Sequence, residues 1–527
     1  MKKCNGFQVI GQTMNLLDDC LISTQSARHS LPGLLAALSR NQVEAFPALC
    51  PHQRPAWHMF LVQLGAVALA AASADTPPED EAAWRDLLLR LTDGDETAWA
   101  LIAPNDRAAF LQPAAPAGLK WSRVDTPDAL DMIITSKNHD LKQAVARHAV
   151  PEDWVFALVS LQTMEGYGGA GNQGIARMNG GSSSRPMLGF APAQPDGGGP
   201  DVSAWWRRDV LRLLTLRQTG RDAVHGTAGG PALIWTLPWP EGRKLVLHDL
   251  DPWFIESCRR IRLIRDGDRL AALRTTSKEA RIDAKDAKGV TGDPWAPVSM
   301  DANPRSLTLG DGDFTYTRMC DLLFERGWKR PPLADPGEGD ATGVIVAEAF
   351  ARGNSKTEGF KSRIVPVPGW ARRRFGQPDL GALANDQIAE IEIFDKALRN
   401  GLALVAAGGD RDKLGKDHYA RARDARDRLD RAADALFFEA LWERAAAQGD
   451  EREEARRRFL TRLFHIARDA FELALPGMPC ATILRPRAEA RGRQAFQAAV
   501  WRGHGHGGGT RFDFLFTPER RQDDDAA

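Results

Sequence analysis

The chain has 527 residues, of which 43% are hydrophobic, and its 69 Lys and Arg side chains equal its 69 Asp and Glu side chains in number. This length and composition predict a globular protein of about two to four domains with a large buried core. A net charge of zero provides no global positive field for non-specific nucleic-acid binding, so any such contact must come from local patches.

Tryptophan is unusually frequent, with 15 residues against three tyrosines. Many of these tryptophans lie within two residues of Pro or Arg, as at Trp57, Trp205, Trp239 and Trp295. That context is typical of loops fixed onto a core by a large side chain. The pattern therefore predicts core anchors and argues against a platform for stacking bases.

The cysteines and the most apolar segment favour a cytoplasmic protein. The six cysteines, at positions 4, 20, 50, 258, 320 and 480, have no paired spacing, so they predict neither a disulfide framework nor a zinc site. The apolar window 56–74 is interrupted by His58, Gln63 and Gly65, which indicates a buried helix and no membrane span. The N-terminus shows no export signal. We expect no metal and no cofactor.

The spacing of apolar residues and of Gly and Pro along the chain predicts an α+β fold. Residues 30–112 have helical periodicity, and residues 118–378 contain short apolar runs between Gly, Pro and Asp clusters, which predict short strands and long loops. Residues 384–500 carry apolar stripes with breaks at 408–409, 448–449 and 476–477, which predict a four-helix bundle. We expect a mixed domain over 14–380, a bundle over 381–501 and a flexible tail over 502–527.

Residues 162–181 contain seven glycines around one tyrosine and Arg177. Absent side chains let another backbone approach closely. The exposed amides and Arg177 would suit a polyanionic chain, whereas an ordinary flexible surface loop is the alternative.

Motifs for catalysis are missing. Residues 409–416 resemble a phosphate-binding loop, but the glycine spacing is one residue too long and Asp417 stands where a hydroxyl is needed. His139 and Asp140 have no nucleophile or second carboxylate tied to them by spacing. The residues therefore indicate a protein that is not an enzyme.

Several segments in a fixed order resemble the large subunit, CasA, of the type I-E CRISPR Cascade complex. They are the glycine-rich loop and residues 14–19, 30–38, 46–49, 51–57, 136–140, 292–297 and 356–359, so the resemblance covers about Met14 to Arg502. Residues 1–13 precede the family's usual start, and Met14 is interpreted as the true initiator.

The resemblance implies a non-catalytic subunit of an RNA-guided antiviral complex with a four-helix bundle at its C-terminal end. Such a subunit recognises the protospacer-adjacent motif in double-stranded DNA, promotes strand opening and helps to recruit the helicase-nuclease. Its partners are the guide RNA and the other Cascade subunits. Recognition of a few base pairs suffices, because the heteroduplex formed nearly balances the duplex lost.

The resemblance also assigns residues. Gly166, Gly168, Gly169 and Gly171 would lie against the minor groove of the motif. The family's lysine finger matches Lys285, with Lys288 as the alternative. The wedge hairpin of the family matches residues 352–357, with Asn354, Ser355 and Lys356 at its tip. Some relatives carry a glutamine at this tip, and this chain does not. Asn354 and Ser355 are therefore both candidates for filling the separated base pair. The resemblance further assigns contact with guide RNA or a neighbouring subunit to four residues: Ser136, Lys137, Asn138 and His139.

Two other classes of function stay open from the residues alone. A free-standing single-stranded DNA-binding protein would need aromatic side chains along a basic groove. A metal-dependent nuclease would need clustered Asp, Glu or His around Mg²⁺ or Zn²⁺.

Overall fold

A computed structural model describes residues 14–130, 149–180, 184–221, 225–310, 312–339, 341–353, 356–502 and 512–516. The chain divides into two compact units. The first comprises the described residues up to Phe314 together with Glu325–Gly369, and the second comprises Thr315–Phe324 and the chain from Trp370 onward. The first unit mixes helices and strands and the second is helical, so the fold is α+β as predicted.

The first unit contains five helices of eight or more residues among the residues described. They are α1 (Leu31–Ser39), α2 (Arg54–Ala71), α3 (Glu81–Arg90), α4 (Pro151–Met164) and α5 (Val202–Gln218). Their starts follow from local sequence: the Ser30 hydroxyl accepts from the Gly33 amide at the start of α1, and the Asp201 carboxylate accepts from the Ala204 amide at the start of α5. Helix α2 is the buried helix predicted over the apolar window.

The strands of the first unit form small antiparallel sheets and one short parallel pair. In chain order they are β1 (Ile22–Ser23), β2 (Arg28–His29), β3 (Ser122–Val124), β4 (Met187–Pro192), β5 (Leu245–Val246), β6 (Arg260–Asp266), β7 (Arg269–Thr275), β8 (Ile282–Asp283), β9 (Val298–Ser299), β10 (Trp328–Lys329), β11 (Gly343–Gly353) and β12 (Lys356–Val367). The two larger sheets have the orders β12-β11-β4 and β3-β7-β6. Among the short apolar runs that predicted strands, the one at residues 232–237 contains the 3₁₀ turn Ile234–Thr236.

Buried tryptophans hold this unit together, as the sequence predicted. Trp84, Trp99, Trp206 and Trp235 are at most 1% exposed. Each indole donates a hydrogen bond across the core; for example, Trp206 Nε1 reaches the Leu61 carbonyl at 3.1 Å and Trp235 Nε1 reaches the Ala98 carbonyl at 3.0 Å. These residues therefore combine apolar burial with satisfied donors.

The second unit contains a four-helix bundle. Its helices are α6 (Tyr316–Leu323), α7 (Gly369–Arg372, which starts at the boundary), α8 (Pro378–Ala406), α9 (Lys416–Ala420), α10 (Arg423–Ala446), α11 (Gly449–Ala474) and α12 (Arg485–Arg502). Helix α8 packs against α10, α11 and α12, and α10 packs against α11. The predicted breaks between the long helices are confirmed.

Two features of this unit differ from the sequence prediction. Helix α6, which was expected in the first domain, belongs here because the Asp434 carboxylate accepts from the Tyr316 amide at 2.6 Å. The tail is not featureless: Phe512 is buried and stacks on Phe394 with ring centroids 5.7 Å apart. Elsewhere in the bundle, Arg456 is 9% exposed and pairs with Glu390, which also binds Arg444.

Candidate nucleic-acid interface

The glycine-rich loop connects α4 to β4 and has a defined backbone. The Gly168 amide donates to the Asn172 carbonyl at 2.9 Å, and the Asn172 amide donates to the Gly169 carbonyl at 2.9 Å. Gly169 and Gly171 have φ values of +108° and +75°, which only glycine adopts readily. The loop is therefore a hydrogen-bonded turn with a fixed outer surface.

The glycines of this turn face different surroundings. A Cβ at Gly171 would lie 2.5 Å from Thr276 Cβ, so this glycine is required for packing against the segment after β7. A Cβ at Gly168 would lie 3.3 Å from Arg259 Nη2, whereas a Cβ at Gly169 would meet nothing within 4 Å. Open space for an approaching molecule is therefore greatest at Gly169. Gly166 is buried, so the prediction that it lies on a DNA-facing surface is wrong.

Arg177 is also buried, which corrects the prediction that it contacts a nucleic-acid backbone. Its guanidinium lies 4.0 Å from the centre of the Phe254 ring and donates to the Pro252 carbonyl at 2.9 Å. The Glu256 carboxylate accepts from the Ala176 and Arg177 amides. Burial lowers the pKa of Arg177 to about 10 and raises the pKa of Glu256 to about 7. These charges fix the loop to the 252–256 segment.

Arg259 supports the outer part of the loop, and the sequence reasoning missed it. Its Nη2 donates to the Gly166 carbonyl at 2.8 Å and lies 3.7 Å from a Glu165 carboxylate oxygen. Tyr167, directly after Gly166, is 40% exposed. No sequence motif distinguished Arg259 from the other arginines of the chain.

Residues 285–289, which we call the lysine segment, lie beside the end of the glycine-rich loop. Lys285 begins a 3₁₀ turn that ends at Ala287, and Lys285 and Lys288 are both exposed. A Cβ at Gly289 would lie 2.6 Å from the Met178 carbonyl carbon and 2.9 Å from the Asn179 nitrogen, so the two backbones touch. The exposed Lys278 belongs to the same region, because its carbonyl accepts from Gln173 Nε2 at 3.3 Å. The structure thus brings the loop and the lysines together.

A buried ion pair joins these two segments. Arg185 Nε and Nη2 donate to the two Asp293 carboxylate oxygens at 2.6 and 3.0 Å, and both side chains are 1% exposed. Arg185 Nη1 also donates to Gln63 Oε1 of α2 at 3.1 Å. Although burial favours protonation, Arg185 and Arg177 hold the pKa of Asp293 below its usual range. We call Arg185 and Asp293 the buried clamp.

The predicted wedge is the end of a long hairpin. Strands β11 and β12 pair from Gly343 and Val367 to Gly353 and Lys356, with an irregularity after Ala351. The Ser184 hydroxyl donates to the Phe350 carbonyl at 3.2 Å and accepts from the Phe350 amide at 3.1 Å. The hairpin is thereby tied to the chain just before β4. Asn354 and Ser355 lie outside the described residues, and Lys356 is the first residue of β12.

Other predictions concern residues or groups that the structure covers only in part. Ser136, Lys137, Asn138 and His139 lie outside the described residues. Within the described ranges, no group of three or more His, Cys, Asp or Glu side chains could hold a metal ion, and no helix is both long and apolar enough to cross a membrane. Cys20 is disulfide-bonded, a pairing that the scattered cysteine spacing did not indicate.

Comparison with known proteins identifies the fold. CasA (Cse1) from Thermus thermophilus is 18% identical, with a TM-score of 0.64, and the match covers 93% of this chain and 99% of that chain. Cse1 from Acidimicrobium ferrooxidans is 16% identical, with a TM-score of 0.65 and coverage of 93% and 98%. A chain of a CRISPR RNA-guided surveillance complex is 14% identical, with a TM-score of 0.60 and coverage of 92% and 99%.

The motif resemblance is therefore confirmed as a likeness of fold to CasA over nearly the whole chain. No protein-family model matches the sequence. No curated protein matches it in sequence either.

The buried clamp generates a stability prediction. Asp293→Asn keeps the side-chain shape but leaves the Arg185 charge uncompensated in the core. We expect the free energy of unfolding to fall by about 3–5 kcal/mol, measured by urea denaturation. Asp301→Asn is the control, since the Asp301 and Arg305 side chains of that pair are 62% and 55% exposed; it should cost less than about 1 kcal/mol. Equal effects of the two substitutions would contradict a dominant role for the clamp.

Proposed function

We propose that this chain is the CasA-type large subunit of a type I-E CRISPR Cascade complex and acts without catalysing a reaction. In this role it inspects double-stranded DNA for a protospacer-adjacent motif, promotes strand opening and helps to recruit the helicase-nuclease. Its partners are the guide RNA and the other Cascade subunits, and its compartment is the cytoplasm. The observation that carries the proposal is the contact between the glycine-rich loop and the lysine segment on a CasA-like fold.

The shape of the glycine-rich turn is suited to contact with the minor groove of DNA. The fixed turn presents the backbone around Gly168 and Gly169 to solvent, with no side chain to prevent close approach at Gly169. Lys285 and Lys288 are exposed on a segment whose Gly289 backbone touches the loop at Met178 and Asn179. The minor groove offers base-edge acceptors and strong negative potential, so an exposed backbone with lysines on a contacting segment suits it in shape and charge.

The alternative of a free-standing single-stranded DNA-binding protein has less support. Such a protein stacks bases on exposed aromatic rings, whereas Trp57, Trp84, Trp99, Trp154 and Trp206 are at most 2% exposed. These rings are part of the core of the first unit.

The proposal is tested with the assembled complex and two duplexes that differ only in the adjacent motif. Gly169→Ala should reduce the preference for the motif-bearing duplex, because the added methyl group points into open space where DNA would approach. Binding is compared at one fixed salt concentration, since salt sets the non-specific background. Binding of the other duplex should change little.

Gly267→Ala is a control for adding a methyl group at an open, positive-φ glycine away from the loop. Gly267 has φ of +61° and also faces open space, but it lies in the turn between β6 and β7. If Gly169→Ala and Gly267→Ala leave the motif preference equally intact, the loop does not read DNA.

The lysine assignment gives a second prediction. Lys285→Ala should lower affinity for the motif-bearing duplex by an amount on the order of 1–3 kcal/mol if the ammonium group meets a base edge. Lys288→Ala is the natural comparison, because Lys288 is also exposed and lies three residues along the same turn. A loss confined to Lys288→Ala transfers the role to Lys288, and no loss from either variant rejects the lysine contact.

The hairpin gives a third prediction. Inserting side chains between base pairs costs a few kcal/mol of unstacking, which pairing with the guide then offsets. Replacing Asn354, Ser355 and Lys356 with glycine should therefore slow strand opening more than it weakens initial motif binding. Fluorescence of a base analogue beside the motif reports opening directly, and an unchanged opening rate would reject a wedge.

A further inference from the structure

A cavity in the first unit lies between the start of α2, the start of α5 and the β11–β12 hairpin. Its volume is about 520 Å³, which is within the range of small-molecule sites. Aromatic and aliphatic side chains form most of its wall, among them Phe46, Trp57, Trp205 and Val346. The function proposed above makes no use of this cavity.

Glu348 contributes a buried carboxylate to the cavity wall. Glu348 lies on β11 two residues after Val346, so both side chains point to the same face of the sheet. Val344, Val346 and Phe350 on this face belong to the apolar core, and Glu348 is the carboxylate among them. Only 3% of Glu348 is exposed.

This carboxylate is incompletely satisfied. Ser362, its cross-strand neighbour, donates from its hydroxyl to Glu348 Oε1 at 3.0 Å. Among the described residues, no Lys, Arg or His nitrogen forms an ion pair with Glu348, and Oε2 has no hydrogen-bond donor. Arg54 also lines the cavity, and its charge lowers the pKa of Glu348 without forming an ion pair with it. Arg54 Nε donates to the Pro51 carbonyl instead. Burial raises the pKa of Glu348 to about 7, so the group is close to half-protonated at neutral pH, and a cationic donor in the cavity would stabilise its charged form.

We propose that this cavity binds a small organic amine with an apolar body, its ammonium group donating to Glu348 Oε2. The apolar body packs against Phe46, Trp57 and Trp205, and the indole faces add attraction for a cation. A charge-assisted hydrogen bond to a desolvated carboxylate is among the stronger polar contacts, which makes the positive charge of the ligand decisive. The site is separate from the motif-reading surface proposed above.

The experiment uses the full chain and three probes of similar shape: tryptamine, neutral tryptophol and anionic indole-3-propionate. Isothermal titration calorimetry should show tryptamine binding at least about tenfold more tightly than tryptophol, with indole-3-propionate weakest. This comparison requires no substitution. Absence of tryptamine binding at millimolar concentration, or equal affinity for tryptamine and tryptophol, overturns the proposal.

Two variants locate the charge. Glu348→Gln should lower tryptamine affinity about tenfold or more and leave tryptophol affinity unchanged, with circular dichroism and thermal melting to verify the fold. Glu44→Gln is the matched control, since Glu44 also lines the cavity but is exposed. A larger loss from Glu44→Gln than from Glu348→Gln would assign binding to the cavity entrance and reject the buried site.

Discussion

The buried clamp between Arg185 and Asp293 is the constraint on which the candidate interface depends. It joins the chain after the glycine-rich loop to the chain after the lysine segment, and Gln63 attaches both to α2. Two charges at 1% exposure are stable only when each satisfies the other. The pair is bidentate, so it fixes orientation as well as distance. Small displacements of either segment would break it.

The charges of this region are divided between two tasks. Arg177, Arg185 and Arg259 point inward, where they bind carbonyl groups and carboxylates that hold the loop in place. Lys285 and Lys288 point outward and remain accessible. The planar guanidinium suits buried sites with several acceptors, whereas lysine acts as a solvated point charge. This division explains why a glycine-rich segment forms a defined surface without a basic side chain of its own on that surface.

The long helices were predictable because periodicity reports local structure directly, and the tryptophan core was predictable from the Pro and Arg residues near many of the indoles. The β11–β12 hairpin was expected only from the resemblance to CasA. The burial of Arg177 was not, since it depends on Phe254 and Glu256, which are about 80 residues away in sequence. The same applies to α6, whose partner Asp434 lies on α10, and to Phe512, whose partner Phe394 lies on α8. Glycine density located the loop, but which glycine faces open space is decided by its neighbours in three dimensions.

The sheet order suggests how the proposed motif reading is connected to strand opening. Strand β11 lies between β4, which follows the glycine-rich loop, and β12, which completes the hairpin. Ser184 binds both backbone groups of Phe350, so the loop's exit and the hairpin share one hydrogen-bonded frame. Under the proposed function, the two hydrogen bonds of Ser184 therefore connect the chain that follows the motif-reading loop directly to the strand that leads to the wedge.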